Sequence, residues 1–383
     1  MHRNIRLLYI HNFLTDFWPQ WPYLVIYFEP ITHSYVLAMS VLALETLTAA
    51  FMDIPTGVFS DRLGRRVTIS IGSFCAALGI GFYALAHHLM ALYAGAFFFG
   101  LGQCLFSGNN NALLYETLKI EGIEDQFHHY RGKTGSMYQL ALCLSALSAI
   151  FLSHYGLRFV FIVAVIPQVL AIFISLMFHE PNIHIVDRQK SWAILKQACI
   201  NLYRNPRLML LVLGRAVNYG AGEAGFKFKG AFVNMLWPTW AVGLYRAISH
   251  AIGFIGFRFS GWAIDRFKSV YIFVIRDIYW FFGNISAVWL NNILSPFPLV
   301  IGSFFFGPGE VASDHLMQIE FTDEQRATMG SLSSSVTSIV FSLAAVSIGG
   351  VSDHYGLGAG VAFCAVMQVL SLPVYVWLFR RDF

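Results

Sequence analysis

The stretch DIPTGVFSDRLGRR, Asp53 to Arg66, leaves an apolar run through Gly57 and three further residues to Asp61, Arg62, Leu63, Gly64, Arg65 and Arg66. Its physical reading is a membrane helix leaving the bilayer. Gly57 permits close helix contact, Asp61 and Arg62 reach the headgroup level, Gly64 turns the chain, and Arg65 and Arg66 hold the turn on the cytoplasmic side. A tight basic hairpin between two spans is expected.

The composition around it agrees. Of 383 residues, 57% are hydrophobic and 12% charged, too little polar surface for a soluble globule of this size, so its solvent is largely lipid. The net charge of +4 is spread over short loops without a basic patch, which excludes nucleic acid as a partner. Cys75, Cys104, Cys143, Cys199 and Cys364 lie in apolar or amphipathic segments without paired spacing, so neither disulfides nor a metal site is indicated. No cleavable leader is evident, because the first apolar stretch is long and lacks a small-residue cleavage site.

A span needs about 20 mostly apolar residues. That rule gives twelve, at 5–28, 35–59, 67–86, 91–114, 135–153, 158–178, 207–227, 239–262, 270–289, 297–318, 328–352 and 359–379. With the N-terminus inside, the inner segments carry most of the basic residues, Arg3, Arg6, Lys119, Arg131, Lys133, Arg266, Lys268, Arg380 and Arg381 among them. The outer side holds only Arg158, Lys227 and Lys229. This bias puts both termini in the cytoplasm of a cell with an inner membrane. His179 to Arg207, the longest hydrophilic segment, contains Pro181 and Pro206 and divides the chain into bundles 1–178 and 207–383. Within this linker, 179–206, Trp192, Leu195, Cys199, Leu202 and Tyr203 recur at helical spacing, so a helix on the inner membrane surface is expected.

The pattern Gly57-x3-Asp61-Arg62-x-Gly64-Arg65-Arg66 resembles the signature loop between helices 2 and 3 of the major facilitator superfamily, and it matches at each fixed position. The resemblance extends over nearly the whole chain. It implies an all-α polytopic membrane protein of twelve transmembrane helices in two six-helix pseudo-symmetric halves. It also implies a conformational latch formed by Gly57, Asp61, Arg62, Gly64, Arg65 and Arg66. Asp61 would then sit near the start of helix 11, around Gly330, and the arginines would pair with an acid such as Glu116 at the end of helix 4.

The halves repeat in sequence as well. Gly57-x3-Asp61-Arg62 returns as Gly261-x3-Asp265-Arg266, Phe97 to Gly102 as Phe304 to Gly309, Arg131-x3-Gly135-Ser136 as Arg326-x3-Gly330-Ser331, and His154 to Leu157 as His354 to Leu357. Four pairs in one order place the halves in parallel register. The second signature loop is degraded, with Lys268 replacing its glycine and no paired arginines, so the latch would be asymmetric.

Ionisable groups at membrane depth are costly and are the default functional candidates. They are Asp16 in helix 1, Glu45 and Asp53 in helix 2, Arg215 and Glu223 in helix 7, Arg246, His250 and Arg258 in helix 8, Arg276 and Asp277 in helix 9, and Glu310 and Asp314 in helix 10. The family resemblance places helices 1, 4, 7 and 10 on a central cavity, 2, 5, 8 and 11 at its flanks, and 3, 6, 9 and 12 outside. By that sorting, Asp16, Glu45, Arg215, Arg246, His250 and Glu310 are the cavity candidates. Asp16 and Glu45 are read as proton carriers, since a carboxyl in a low-dielectric cavity can load and release a proton near neutral pH. The competing reading is a permanent ion pair to Arg215 or Arg246. Arg246 and His250, four residues apart, share a helix face, and with Arg215 they build a cationic site for a carboxylate or phosphate. Arg276 and Asp277 read as structural, and Glu223 with Lys227 as a local pair.

Other motifs carry no chemistry. Gly132-Lys133-Thr134 resembles the end of a phosphate loop, but the earlier glycine is replaced by Phe127. His87-His88 and His128-His129 lack acidic or cysteine partners at ligand spacing. No enzyme motif is present. The expectation is a secondary transporter and not an enzyme, without cofactor or metal, working as a monomer by alternating access. It would be proton-coupled and carry a small anionic or zwitterionic organic solute, such as an organic acid or siderophore, inward. The alternative is proton-driven multidrug efflux, which the absence of a Gly-Pro pair in helix 5 disfavours.

Overall fold

The computed structural model describes residues 3–106, 108–181, 200, 202–320 and 326–379, which are helical and contain no strand. Helices α1 (Arg3–Thr15) and α2 (Leu24–Thr32) form a broken first span. They are followed by α3 (Tyr35–Leu63), α4 (Arg65–Leu85), a fourth span of α5 (Leu89–Phe106) and α6 (Asn109–Ile120), then α7 (Phe127–Leu152) and α8 (Leu157–Leu176). The second set runs α9 (Pro206–Leu236), α10 (Thr239–Arg266), α11 (Ser269–Leu290), a broken span of α12 (Pro296–Gly302) and α13 (Phe306–Glu320), α14 (Arg326–Tyr355), and α15 (Leu357–Val369) with α16 (Leu372–Leu378). The expected surface helix over 192–203 lies almost wholly outside the described residues, as do the surroundings of Gly57 and the side chains of Asp61 and Arg62.

By length and composition alone, seven described stretches are apolar enough to cross a membrane: the second to sixth, eleventh and twelfth spans. The other five fall short for two physical reasons. The first is interrupted after Thr15, and the seventh to tenth hold the charges from Arg215 to Asp314. The spans that fail on hydropathy are therefore those that carry polar groups into the bilayer, where they demand a partner or a cavity.

The chain forms two compact units: Met1–Ile31 with Leu44–Arg188, and Thr32–Ala43 with Gln189–Phe383. In the first, glycines let α4 and α5 meet backbone to backbone. A Cβ at Gly79 would stand 2.5 Å from the Phe99 nitrogen, and one at Gly102 would stand 2.8 Å from the Gly72 oxygen. Such close approach is how helices associate in lipid, where no hydrophobic force drives them together. Ile5, Leu8, Ile69, Leu113, Leu118 and Phe178 form an apolar core nearby. In the second unit, Leu208, Leu211, Phe273, Tyr375 and Leu378 do the same, with the Phe273 and Tyr375 rings stacked at 3.8 Å.

The sequence repeats are repeats of packing. Gly100 lies against the backbone of Glu45 and the side chain of Thr48 on α3, and Gly307 lies against the backbone of Phe257 on α10. Gly102 then meets α4 at Gly72 and Ala76, and Gly309 meets α11 at Arg276. Gly156 (φ 96°) and Gly356 (φ 86°) each turn the chain into the next helix, in the left-handed region that glycine tolerates.

The first nine residues of α3 belong to the second unit. There Asp353 of α14 accepts hydrogen bonds from Ser34 Oγ (2.6 Å), Tyr35 N (2.6 Å) and Val36 N (3.1 Å). A carboxylate at a helix N-terminus satisfies orphan N–H groups and complements the helix dipole. One turn below, Gly349 leaves room for the Tyr35 carbonyl, and Ser342 Oγ donates to the Ala43 oxygen at 3.3 Å.

Candidate solute and proton sites

Asp16 follows the last residue of α1, and the chain from Asp16 to Gln20 is not helical before a short 3-10 turn, Trp21–Tyr23. Pro19 and Pro22 explain the interruption, since neither can donate to a helical ladder. The freed carbonyls of Leu14 and Thr15 are met by the side-chain amide of Gln168 on α8, at 3.2 Å each. Asp16 thus stands partly exposed at the negative end of a helix, where a proton or bound cation is the natural counter-charge.

Polar contacts continue along α1 towards its start. The buried His11 ring nitrogen Nε2 lies 3.0 Å from Ser73 Oγ, and its ring is edged by Phe106 and Phe178. Asn12 Oδ1 accepts from Asn110 Nδ2 at 3.0 Å, and Asn4 bonds Thr117 Oγ1 and the His179 carbonyl. Glu45, the other expected proton carrier, is buried on α3, and Tyr83 OH donates to its Oε2 at 3.0 Å. From Glu45 an aromatic chain leads through Tyr83 to Phe99 (6.5 Å) and on to Trp18 (6.1 Å).

In the second unit, Arg215 of α9 is taken up by two carboxylates of α13. Its Nη2 donates to Glu310 Oε1 at 2.8 Å and its Nη1 to Asp314 Oδ1. Arg246 stands in different surroundings. It is 1% exposed, its guanidinium lies 3.8 Å over the Phe226 ring, and its Nη2 donates to the Phe226 carbonyl. Its Nε and Nη1 have no hydrogen-bond partner among the described residues. His250 meets Phe226 edge-on at 6.0 Å, and Glu223 lies within electrostatic reach of both Lys227 and Arg246. Arg246, His250 and Phe226 thus form one group, while Arg215 and Glu310 belong to another.

Arg276 and Asp277 close a third, densely bonded network. Arg276 Nε donates to Asp277 Oδ1 at 3.0 Å and its Nη2 to Asn218 Oδ1 at 2.6 Å. Asn218 Nδ2 donates to both Asp277 oxygens at 3.0 Å and to Ser371 Oγ. Phe273 and Trp280 flank the guanidinium at 4.1 and 4.9 Å. Spans seven, nine and twelve are tied together with the charges internally neutralised, an arrangement that builds a scaffold and offers no free group to a solute.

At the signature loop, Gly64 (φ 90°) reverses the chain. Arg65 Nε lies 3.3 Å from Glu116 Oε1, and its Nη1 donates to Ser60 Oγ (2.8 Å) and Asn109 Oδ1 (3.1 Å). Glu180, which sequence reasoning did not single out, accepts the backbone N–H of Arg65 (2.6 Å) and of Arg66 (2.7 Å). Arg66 Nη2 returns to the Leu176 carbonyl at 2.6 Å. Gln168 is a further partner that the sequence reading did not identify; a polar residue inside a span was the available signal.

No curated protein matches the sequence. Similar solved structures cover essentially the whole chain. A variant of the nucleoside transporter NupG superposes with a TM-score of 0.81 at 15% identity, over 98% of this chain and 99% of that one. A bacterial homologue of the human lysosomal transporter Spinster, inward-facing and unoccupied, gives 0.78 at 16% identity, over 99% and 97%. The fucose:proton symporter FucP of E. coli gives 0.60 at 17%, over 98% of each chain. At these identities the likeness shows the fold. The sequence model described as Major Facilitator Superfamily matches residues 10–318, and with it the signature loop, the paired six-span sets and the repeated glycine packing find one explanation: the chain is a multi-pass membrane transporter belonging to the Major Facilitator Superfamily.

Proposed function

We propose that this protein is a proton-coupled secondary transporter of an inner membrane, with both termini cytoplasmic. It takes up a small anionic or zwitterionic organic solute as bundles 1–178 and 207–383 alternate about a midplane site. The observation that carries the solute's charge is Arg246, buried in an aromatic setting with two guanidinium nitrogens that have no partner among the described residues. A planar fork in that state is matched by a carboxylate or phosphate, and His250 beside it adds a second donor. Arg215 is the weaker solute ligand, since Glu310 and Asp314 already hold it, and those three groups act as an internal ion cluster.

Proton coupling rests on Asp16 and Glu45, carboxyls at membrane depth in the first unit. The likeness to FucP, itself a proton symporter, supports the same direction. The test is uptake of pooled carboxylates, siderophores and cationic drugs into proteoliposomes with acid outside, comparing wild type with Asp16→Asn and Glu45→Gln. Acid-driven accumulation of an anionic solute, lost in one carboxyl variant while solute exchange survives, supports the reading. Movement of lipophilic cations alone, against the proton gradient, replaces it with drug efflux.

A further inference from the structure

The break in the first span holds more than a carboxyl. Trp18 is 8% exposed and Gln20 2%, and neither the indole N–H of Trp18 nor the Oε1 of Gln20 has a hydrogen-bond partner among the described residues. Asp16, beside them in the break, is partly exposed. Trp21 stacks on Trp18 with ring centres 4.8 Å apart and 20° between planes, and Phe99 closes the edge. Gln168, fully buried, caps the end of α1 and fixes the register of the break.

Buried polar groups are ordinarily bonded, and a broken span is tolerated where protein or a cavity serves the freed groups. Gln168 serves the backbone here. The side chains remain: one N–H donor, a carboxylate and an amide oxygen as acceptors, beside a flat apolar wall. We propose that the Asp16–Trp21 break is a solute subsite for an uncharged polar ring. The ring would be a sugar or heterocycle whose face lies on the tryptophans, with an edge acceptor for Trp18 and edge donors for Gln20 and Asp16. A bare carboxylate does not fit, because two acceptors and a single donor repel it. Aromatic side chains bind such faces while indole and amide groups read the edge. The consequence for transport, that the solute carries a polar ring besides its anionic group, rests on the reading given above; the binding itself does not.

The experiment uses the full chain in nanodiscs, with radiolabelled uridine and fucose as ring probes and succinate as a ringless dianion. Binding is measured at equilibrium without a gradient and followed by intrinsic tryptophan fluorescence. At least one ring probe is expected to bind and quench the fluorescence. Trp18→Phe, which keeps the ring and loses the donor, and Gln20→Leu should each weaken that binding by about tenfold or more. Trp240→Phe in the second unit should leave it unchanged. Absence of ring-probe binding to the wild type, or wild-type affinity in both folded variants, overturns the subsite. If succinate is then still taken up in proteoliposomes, the subsite alone has failed. If ring probes bind but no solute is moved, the transporter reading has failed and the subsite stands.

Discussion

The carboxylate of Glu180 accepts the backbone N–H of Arg65 at 2.6 Å, so an acid just past the last span of the first bundle closes the signature turn. A second bond, to the Arg66 N–H, makes it a two-point cap on α4. Glu180→Ala removes a helix cap and should cost about 1 kcal/mol of stability, read as a lower midpoint in thermal unfolding. Glu180→Gln keeps one acceptor and should fall between. Gly64→Ala should be worse than either, because its backbone is left-handed and its Cβ would stand 2.6 Å from the Glu180 carboxyl carbon.

Asp277→Ala strands Arg276 in a site where both side chains are 2% exposed or less. Removing one partner of such a pair costs about 3–5 kcal/mol. The expected outcome is poor yield and a lowered melting point. Any folded fraction should keep its solute affinity, which equilibrium binding checks.

Arg246→Lys should raise the half-saturating concentration of an anionic solute by at least about tenfold, since a point charge cannot replace a planar fork. Folding should be little changed, because among the described residues the guanidinium donates only to the Phe226 carbonyl, a bond an ammonium can also make. Equal affinity in the lysine variant would remove Arg246 from the solute site.

Arg215 should behave differently. Coupling energies from a double-mutant cycle over Arg215→Gln and Glu310→Gln in thermal unfolding should be clearly non-zero, as for a partly buried contact pair. Single variants should shift stability more than solute affinity.

Asp16→Asn should abolish the stimulation of uptake by external acid while leaving exchange of labelled for unlabelled solute intact. Rates measured between pH 5 and 8 should become flat. A retained acid stimulation moves the proton to Glu45, where Glu45→Gln provides the parallel test.

The fold was legible in the sequence because its devices are local. The Gly64 turn, the Gly156 and Gly356 turns and the phenylalanine-glycine repeats each state their geometry within a few residues. The division of the charges into three groups was not legible. Glu310 and Asp314 are four apart and face one way on α13, but nothing in the order of residues says that Arg215, about a hundred positions earlier, lies between them. The cap by Glu180 is hidden for the same reason. Gln168 lies inside an apolar run, and Pro19 with Pro22 signal the break within the span 5–28 that hydropathy alone marks as continuous.

Gly100 with Gly102 and Gly307 with Gly309 occupy matching places in two bundles whose charges at membrane depth do not correspond. A duplicated ancestral segment accounts for that contrast. Where a side chain would collide with the neighbouring backbone, drift was forbidden and both copies kept glycine. Where a side chain faced open space, each copy was free to specialise, one towards carboxyl and aromatic groups and the other towards arginines and their acids. The glycines are thus the fossil of the original unit, and the charges record its later division of labour.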